Sequence, residues 1–198
     1  MRVTVFDYGA GNLHSLLKAV VAAGVEPVVE TDPVRAADAD ALVLPGVGAF
    51  APAAARLAPG RELLRRRLLD GMPCLGICLG LQLLFERSDE GPGAGIGLVT
   101  GAVTRIRAAR LPQIGWNRIE AVADPLLLAA GLEEAYYANS YVGRPESLAT
   151  VVAWSRYEDD RFPAAIRYQR TLGVQFHPEK SSSRGVALVR AFIEDART

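Results

Sequence analysis

The segment 76–80, Gly-Ile-Cys-Leu-Gly, constrains the fold of this chain more than any other. It follows a short apolar run that begins at Cys74 and precedes a second one, the pattern of a strand, a tight turn and a helix. In such a turn the nucleophile points outward, because small neighbours let the backbone pass closely. Gly76 and Gly80 are these small neighbours, so Cys78 is the candidate nucleophile. The aligned peptide dipoles of the helix would favour its thiolate.

A second group of residues, near the C-terminus, supplies a candidate base. His177 ends a β-rich segment and stands before Pro178, which restricts the His177 backbone to extended conformations and stops the strand. The imidazole is therefore predicted at the carboxyl edge of the sheet. Glu179 is placed to accept a hydrogen bond from the far ring nitrogen, as the acid of a triad does. Cys78, His177 and Glu179 together are typical of a Cys-His-Glu hydrolase or amidotransferase.

The remaining cysteine and histidine are assigned structural roles. Cys74 lies inside the predicted strand without glycine neighbours, and His14 lies early in the first predicted helix. The spacing of Cys74 and Cys78 is not C-x-x-C, and the chain offers no second ligand pair. We therefore predict neither a metal site nor a redox pair.

Length and composition limit the classes of protein to which this chain can belong. A chain of 198 residues suffices for one domain, spanning 1–198, with one good core. Its 22 Lys+Arg balance 22 Asp+Glu, so no charge excess favours nucleic acid or an anionic membrane as partner. No apolar stretch approaches the roughly 18 residues that span a bilayer. Two cysteines argue against a secreted disulfide framework, so a cytoplasmic protein is expected.

The order of apolar patterns predicts an α/β fold with a flavodoxin-like, mostly parallel central sheet. Strands are predicted over 3–6, 25–30, 41–44 and 74–77, and helices over 13–21, 50–57, 60–70 and 79–85. Later strand-like segments, with little helix between them, are 99–106, 114–120, 136–142, 150–155, 164–168 and 172–176. They predict a mixed or antiparallel extension of the sheet. A final helix is expected, capped by a serine within 181–183.

Two glycine-rich turns follow predicted strands. The turn after the third strand contains Gly46, Val47 and Gly48, at the edge where open α/β sheets bind ligands. Its backbone amides are candidate oxyanion donors, together with the N–H of Leu79 after the nucleophile. The turn at 9–11 lacks the third glycine of a dinucleotide fingerprint, which makes a nucleotide site there a weak hypothesis.

The elbow and the His-Pro-Glu segment resemble those of class I, or triad, glutamine amidotransferases. Further segments are similar to one subgroup, the glutaminase subunits of imidazole glycerol phosphate synthases. These are Asp-Tyr-Gly-Ala-Gly-Asn-Leu at 7–13, Leu-Pro-Gly-Val-Gly-Ala-Phe at 44–50, Pro-Gln-Ile-Gly-Trp-Asn at 112–117, and Gly-Val-Gln-Phe-His-Pro-Glu-Lys-Ser at 173–181. The first and third are the discriminating ones. The similarity runs from residue 3 to about residue 193.

The resemblance implies a reaction and a partner. Cys78 would attack the side-chain amide of glutamine and His177 would move the protons, with no metal or organic cofactor. Gln82, Ser140 and Tyr141 would hold the α-amino and carboxylate groups of glutamine. The ammonia would pass through an internal channel to a (β/α)8-barrel synthase subunit in a heterodimer. That subunit makes imidazole glycerol phosphate and an aminoimidazole carboxamide ribonucleotide, in histidine biosynthesis.

The resemblance also implies an interface with the barrel subunit. The motif residues expected near it are Asn12, Pro45, Trp116, Asn117 and Lys180. One position departs from the family pattern, which often has a histidine before the Ser-Tyr pair at 140–141, where this chain has Asn139. An amide keeps a hydrogen bond but does not titrate near neutral pH. His177 is therefore the only candidate catalytic base.

Three alternatives remain open at the level of sequence. The chain could be the triad glutaminase of a different synthase, although the Gly-Trp-Asn segment at 115–117 speaks against it. It could be a cysteine hydrolase or peptidase on a similar sheet, which would act without a partner. It could also be a binding subunit without activity, against which the intact Cys78, His177 and Glu179 argue.

Overall fold

The computed structural model describes residues 1–198, in which strands and helices alternate in the first half and strands dominate the second. The strands are β1 (Val3–Phe6), β2 (Val28–Glu30), β3 (Ala41–Leu44), β4 (Cys74–Ile77), β5 (Phe85–Ser88), β6 (Val99–Arg105), β7 (Gln113–Arg118), β8 (Glu134–Asn139), β9 (Tyr141–Pro145), β10 (Val151–Tyr157), β11 (Asp160–Tyr168) and β12 (Thr171–Val174). The helices are α1 (His14–Ala22), α2 (Pro33–Ala36), α3 (Phe50–Leu57), α4 (Arg61–Leu69), α5 (Leu79–Gln82), α6 (Pro125–Ala130) and α7 (Ser182–Asp195). Short 3-10 helices span Ala58–Gly60, Leu148–Thr150 and Pro178–Lys180.

A seven-stranded sheet forms the centre, in the order β10-β11-β12-β4-β3-β1-β2. Five neighbouring strands, from β12 to β2, run parallel, and β11 and β10 extend the sheet antiparallel. This confirms the predicted α/β class with a mostly parallel sheet and an antiparallel extension. It also places β4, the strand before the elbow, between β3 and β12.

The central strands are buried on both faces. Every residue of β1, β3 and β4 is buried, as expected for continuous apolar runs in a parallel sheet covered by helices. One face packs against α1 and α7, which contribute residues such as Val20 and Phe192. The other face packs against α3 and α4, with Phe50 and Leu64 among its residues. None of the helices is both long and apolar enough to cross a membrane.

Strands from β5 onwards also form two smaller sheets besides the main one, which the sequence did not predict. Strands β5, β6 and β9 form a three-stranded sheet, and β7 and β8 form an antiparallel pair. The single strand predicted over 136–142 is therefore wrong. It is two strands in different sheets, because β8 pairs with β7 and β9 pairs with β6, and the chain changes partner at Ser140.

The helix after the elbow is shorter than predicted. It ends at Gln82, and Phe85 begins β5 instead of completing the helix. Every residue from Leu79 to Phe85 is buried, and a short run that is apolar except for Gln82 does not distinguish a helix from a strand. The second predicted strand is also shorter, since it begins at Val28.

Two helices in the described fold were missed, and each has a recognisable start. Asp124 accepts hydrogen bonds from the backbone N–H of Leu126 and Leu127, and Pro125 occupies the first position of α6. Helix α2 begins in the same way, after Asp32. An Asp-Pro pair was therefore the available signal for both helices.

Candidate active site

The carboxyl ends of three neighbouring strands form the floor of the candidate site. Leu44 of β3 and Gly173 of β12 both lie beside Gly76 of β4. The residues that follow these strands include Gly46, Cys78 and His177, so parallel pairing brings three segments that are distant in sequence to one edge. This is the edge where open α/β sheets bind ligands.

Cys78 occupies the tight turn predicted for the segment 76–80. Its φ of 46° and ψ of −100° lie in a region that is costly for any residue other than glycine. Two backbone hydrogen bonds hold this conformation, from the Cys78 N–H to the Val174 carbonyl at 2.7 Å and from the Gln82 N–H to the Cys78 carbonyl at 3.0 Å. The residue is 7% exposed.

The two flanking glycines are needed for close backbone contact. A Cβ atom at Gly76 would lie 2.9 Å from backbone atoms of Gly80. A Cβ atom at Gly80 would overlap the backbone of Leu44. The strand, the turn and the helix therefore pass too close to one another for any side chain, which is the geometry predicted from the sequence.

The helix after Cys78 has only four residues. The macrodipole sums over aligned peptide units, so one turn stabilises a thiolate less than the longer predicted helix would. Leu79 is the first residue of this helix, and its N–H has no partner within the helix. Leu79 also lines the cavity beside Cys78, and its role as an oxyanion donor stays a prediction.

His177 lies between Cys78 and Glu179. Its Nδ1 atom is 2.8 Å from Oε1 of Glu179, and both side chains are more than nine-tenths buried. The His177 N–H donates to the Tyr136 carbonyl at 2.8 Å, which anchors this segment to β8. Since Nδ1 faces the carboxylate, Nε2 is the nitrogen available to the Cys78 thiol.

The electrostatic setting favours a protonated imidazole. Burial alone would lower the pKa of His177, because it removes water from the charged form. The hydrogen bonds to Cys78 and Glu179, and the negative charges of both partners, outweigh burial and raise the pKa to about 10. At neutral pH, His177 is therefore protonated and forms an ion pair with Glu179.

Ser181 precedes α7 but does not cap it with its side chain, which corrects one expectation. Its Oγ donates to the His177 carbonyl at 2.6 Å and accepts from the Tyr136 N–H at 2.9 Å. The hydroxyl therefore holds the histidine segment and β8 together at the edge of the site. The Ser181 side chain makes no hydrogen bond to the backbone N–H groups at the start of α7.

The glycine turn after β3 touches the candidate catalytic pair directly. A Cβ atom at Gly46 would lie 2.9 Å from Cε1 of His177 and 3.0 Å from Cβ of Cys78. Gly46 and Gly48 line the cavity, and Gly48 has a φ of 100°. The Val47 side chain instead packs towards Gly11, where an added Cβ would lie 2.6 Å from Cβ of Val47.

A cavity of about 200 Å³ opens in front of Cys78. The three residues that the resemblance implied for glutamine binding, Gln82, Ser140 and Tyr141, all line it. Nε2 of Gln82 donates to the Tyr141 carbonyl at 2.9 Å, and Nδ2 of Asn139 donates to the same oxygen at 3.0 Å. The Tyr141 carbonyl therefore fixes one wall of the cavity.

Sequence reasoning missed Glu90, the one carboxylate that lines this cavity. Its Oε2 accepts a hydrogen bond from the Phe50 N–H at 3.0 Å, across 40 residues of sequence. This bond ties the loop after β5 to the segment that follows the glycine turn. The sequence held no signal for the role of Glu90, because this residue belongs to no periodic pattern or motif.

Four of the five predicted interface residues are accessible. Asn12, Trp116 and Lys180 are exposed, and Asn117 is half-buried. The Tyr136 ring joins two of them, since it stands edge-on to Trp116 with centroids 6.4 Å apart and has Nζ of Lys180 5.9 Å from its centroid. Pro45 is buried, so a direct contact of Pro45 with a partner is not supported.

Cys74 has the structural position expected for it. It lies within β4 with no exposed surface, and burial raises the pKa of its thiol well above the usual range. Burial keeps it neutral and inaccessible, unlike Cys78, which lines the cavity. His14 begins α1 on the surface.

The chain matches the family described as glutamine amidotransferase class-I over residues 4–196. It is 42% identical to the imidazole glycerol phosphate synthase subunit HisH of Leifsonia xyli subsp. xyli, over 96% of this chain and 97% of that protein. It is also 42% identical to the same subunit of Methanothermobacter thermautotrophicus, over 98% of this chain and 99% of that protein. Its structure superposes on a solved glutamine amidotransferase structure over 100% of both chains, with 21% sequence identity and a TM-score of 0.78, which shows a common fold. The chain is a member of the class I glutamine amidotransferase family.

Proposed function

We propose that this chain, as one glutamine amidotransferase domain over 1–198, is the glutaminase subunit of an imidazole glycerol phosphate synthase. The observation that carries the proposal is the cavity at the carboxyl edge of the sheet, with Cys78 at its wall and His177 and Glu179 behind it. The specific synthase is supported by the names of relatives matched along nearly their whole length. The two free cysteines fit the reducing cytoplasm, where we place the enzyme.

The reaction begins with an attack on the side-chain amide of glutamine. The Cys78 thiolate forms a C–S bond to the amide carbon, and the carbonyl π electrons move onto oxygen. Leu79 N–H and an amide of the turn Gly46, Val47 and Gly48 would stabilise this oxyanion, each donor contributing about 10²–10³ in rate. Leu79 follows Cys78 in the chain, and the turn follows β3, the strand next to β4, with a Cβ atom at Gly46 only 3.0 Å from Cβ of Cys78.

The protons then pass through His177. The imidazolium gives its proton to the amide nitrogen, the C–N bond breaks, and ammonia leaves a thioester on Cys78. Neutral His177 next takes a proton from water, whose oxygen attacks the thioester and releases glutamate with the thiolate restored. Glu179 keeps Nδ1 engaged throughout, so that Nε2 faces the reacting atoms.

The α-groups of glutamine would bind at the outer part of the cavity. The carboxylate of Glu90 is suited to the α-ammonium group, because it is the only negative side chain that lines the cavity. Gln82, Ser140 and Tyr141 offer amide, hydroxyl and backbone groups for the remaining contacts. We assign these residues to substrate binding.

The ammonia would be used by a partner, a (β/α)8-barrel synthase subunit in a heterodimer. The surface around Tyr136 suits a docking role, because Trp116 is 52% exposed and Ile114 is 67% exposed on the same antiparallel pair of strands. Lys180 adds a positive charge beside the Tyr136 ring, and Asn12 is exposed. We assign Asn12, Trp116, Asn117 and Lys180 to this interface and leave out the buried Pro45.

Reconstitution with the barrel subunit tests the proposal. Glutamine-dependent formation of imidazole glycerol phosphate should require both chains, and the ribonucleotide ligand of the barrel subunit should stimulate glutamine hydrolysis. Cys78→Ala should abolish the glutamine-dependent reaction and leave the reaction with added ammonia near the wild-type rate. The matched control is Cys74→Ala, at a buried cysteine away from the cavity, which should keep both activities.

Three results would contradict the proposal. Equal loss of both activities in Cys78→Ala would refute the division of labour between the subunits. Stimulation only by a different synthase would assign the chain to another triad amidotransferase. Rapid cleavage of peptides or esters by the isolated chain would indicate a hydrolase that acts alone.

A further inference from the structure

A fully buried glutamine, Gln175, lies beside the nucleophile and has no role in the steps described above. The parallel register of β12 and β4 pairs Val174 with Ile77, so the next residues along, Gln175 and Cys78, are also neighbours. The side-chain Nε2 of Gln175 is 3.5 Å from Sγ of Cys78 and donates to it. That distance is short enough for a hydrogen bond to sulfur, whose radius exceeds that of oxygen.

The rest of the Gln175 side chain makes no hydrogen bond. The residue has no exposed surface, and its Oε1 atom has no partner. A glutamine amide carries two N–H donors and one oxygen acceptor, and leaving such groups unpaired in the interior is costly. A methionine would fill similar space without that cost. The one interaction that compensates for burying this amide is its contact with the sulfur.

We propose that Gln175 is a further catalytic residue, whose amide N–H stabilises the Cys78 thiolate by direct hydrogen bonding. The inference deepens the glutaminase function proposed above and rests on it. Nε2 of His177 is the other donor available to the sulfur, and the two groups differ in one respect. His177 gives its proton away during the reaction, whereas a neutral amide does not ionise.

This difference gives Gln175 a defined part in the cycle. When His177 gives its proton to the amide nitrogen, which leaves as ammonia, the positive charge beside the sulfur is lost until the imidazole takes a proton from water. When water then cleaves the thioester, the C–S bond breaks and its electron pair returns to sulfur as a thiolate. The Gln175 N–H remains in place through both events and favours sulfur as the leaving group. No bond to Gln175 is made or broken.

The pH profile of alkylation at Cys78 tests the proposal. The full chain carrying Cys74→Ala is treated with iodoacetamide across the pH range, with and without Gln175→Met. The substitution keeps volume and removes the donor, while the charged groups around the sulfur and its cavity, His177, Glu179 and Glu90, are unchanged. We expect the midpoint of the rate profile to rise by about one pH unit, a roughly tenfold weaker preference for the thiolate.

Gln113→Met is the matched control. Gln113 is also a buried glutamine, 2% exposed, and neither of its amide atoms has a partner, but no hydrogen bond links it to the sulfur. Its alkylation midpoint should equal that of the parent chain. An unchanged midpoint in Gln175→Met, or an equal shift in Gln113→Met, would overturn the proposal. If Gln175→Met does not fold, Gln175→Asn is used as the test variant instead, because its shorter side chain withdraws the amide from the sulfur.

Kinetics in the complex with the barrel subunit give a second measurement. Gln175→Met should lower kcat for glutamine about tenfold with little change in KM, because the hydrogen bond acts on the sulfur and not on bound glutamine. The rate with added ammonia should not change. A raised KM with unchanged kcat would make Gln175 a substrate-binding residue and overturn the proposal. If the wild-type complex uses no glutamine, the proposed function fails, whereas the alkylation profile still decides the role of Gln175.

Discussion

Nδ1 of His177 and Oε1 of Glu179 lie 2.8 Å apart, although only one residue separates them in the chain. Pro178 accounts for this short distance between the two side chains. It keeps the His177 backbone extended, at φ −103° and ψ 94°, and begins a 3-10 turn that brings the carboxylate back onto the ring. A histidine and its orienting acid are therefore placed by local backbone geometry.

The first prediction concerns the protonation of this imidazole. The pKa of His177 is about 10, so its ring should stay protonated through neutral pH. Glu179→Gln removes one of the two negative partners and should lower that pKa by about 1–2 units. Proton NMR titration can measure this, because the chain has only two histidines and His14→Gln assigns the signals. Titration of the wild-type His177 near pH 6.5 would contradict the ion pair.

The second prediction is a pH dependence of stability with a definite sign. The folded pKa of His177 is raised above its unfolded value of roughly 6.5, so the folded state binds the proton more tightly. This contribution is complete below about pH 6.5 and is lost as pH rises towards 10. In urea unfolding, the stability gap between wild type and His177→Asn should shrink by about 1–3 kcal/mol from pH 6 to pH 9.

A second pair of variants isolates the cause of that trend. Cys78→Ala removes the other negative partner of His177, so His177→Asn made in this background should show a weaker pH dependence. The same slope in both backgrounds would mean that the pairing with the thiolate does not stabilise the fold.

The third prediction concerns Gly46. An alanine there would press its Cβ against both Cys78 and His177, at about 3 Å from each, so one of them must move. Glutaminase activity should fall by about 10² or more, while activity with added ammonia persists. Gly71→Ala is the control, since its φ of 91° brings backbone strain but no atom lies within 4 Å of the new Cβ. Gly46 has no positive φ, so equal loss of activity in both variants would indicate general destabilisation and not the contact with Cys78 and His177.

Much of the site could be predicted from the sequence because its geometry is local. Gly76 and Gly80 are required by backbone contacts that a tight strand-to-helix turn always creates, and Pro178 fixes the direction of His177. The buried strands β3 and β4 were predictable for a related reason. Continuous apolar runs bounded by glycine and proline have few alternatives in a parallel sheet.

What the sequence did not predict depends on contacts that form only in the folded chain. Phe85 opens a strand because β6 is there to pair with it, and no local pattern of the apolar run 79–85 indicates this. Glu90 reaches the cavity because its loop is tied to Phe50, 40 residues away. The partner change at Ser140 likewise reflects two different neighbouring strands.

The fourth prediction concerns Asp160, a buried carboxylate at the start of β11. Its side chain has no exposed surface and accepts hydrogen bonds from the Arg107 backbone at 2.9 Å, from the Arg107 guanidinium at 3.2 Å and from Arg144. Burial alone would raise the pKa of Asp160, but these hydrogen bonds and the Arg144 charge lower it. Asp160 thereby joins β11 to β9 and to the segment that follows β6.

Asp160→Asn keeps the shape and removes the charge. It should lower the free energy of unfolding by about 2–3 kcal/mol at pH 7, as measured in urea. Because the folded pKa is depressed, this contribution is present above roughly pH 4 and is lost as pH falls through the folded pKa, so the gap to wild type should close in acid. Glu62→Gln is the control, since Glu62 is 74% exposed and 3.9 Å from Arg61, and it should cost less than about 0.5 kcal/mol. Equal effects of the two substitutions would show that the Asp160 cluster contributes no more than an exposed ion pair.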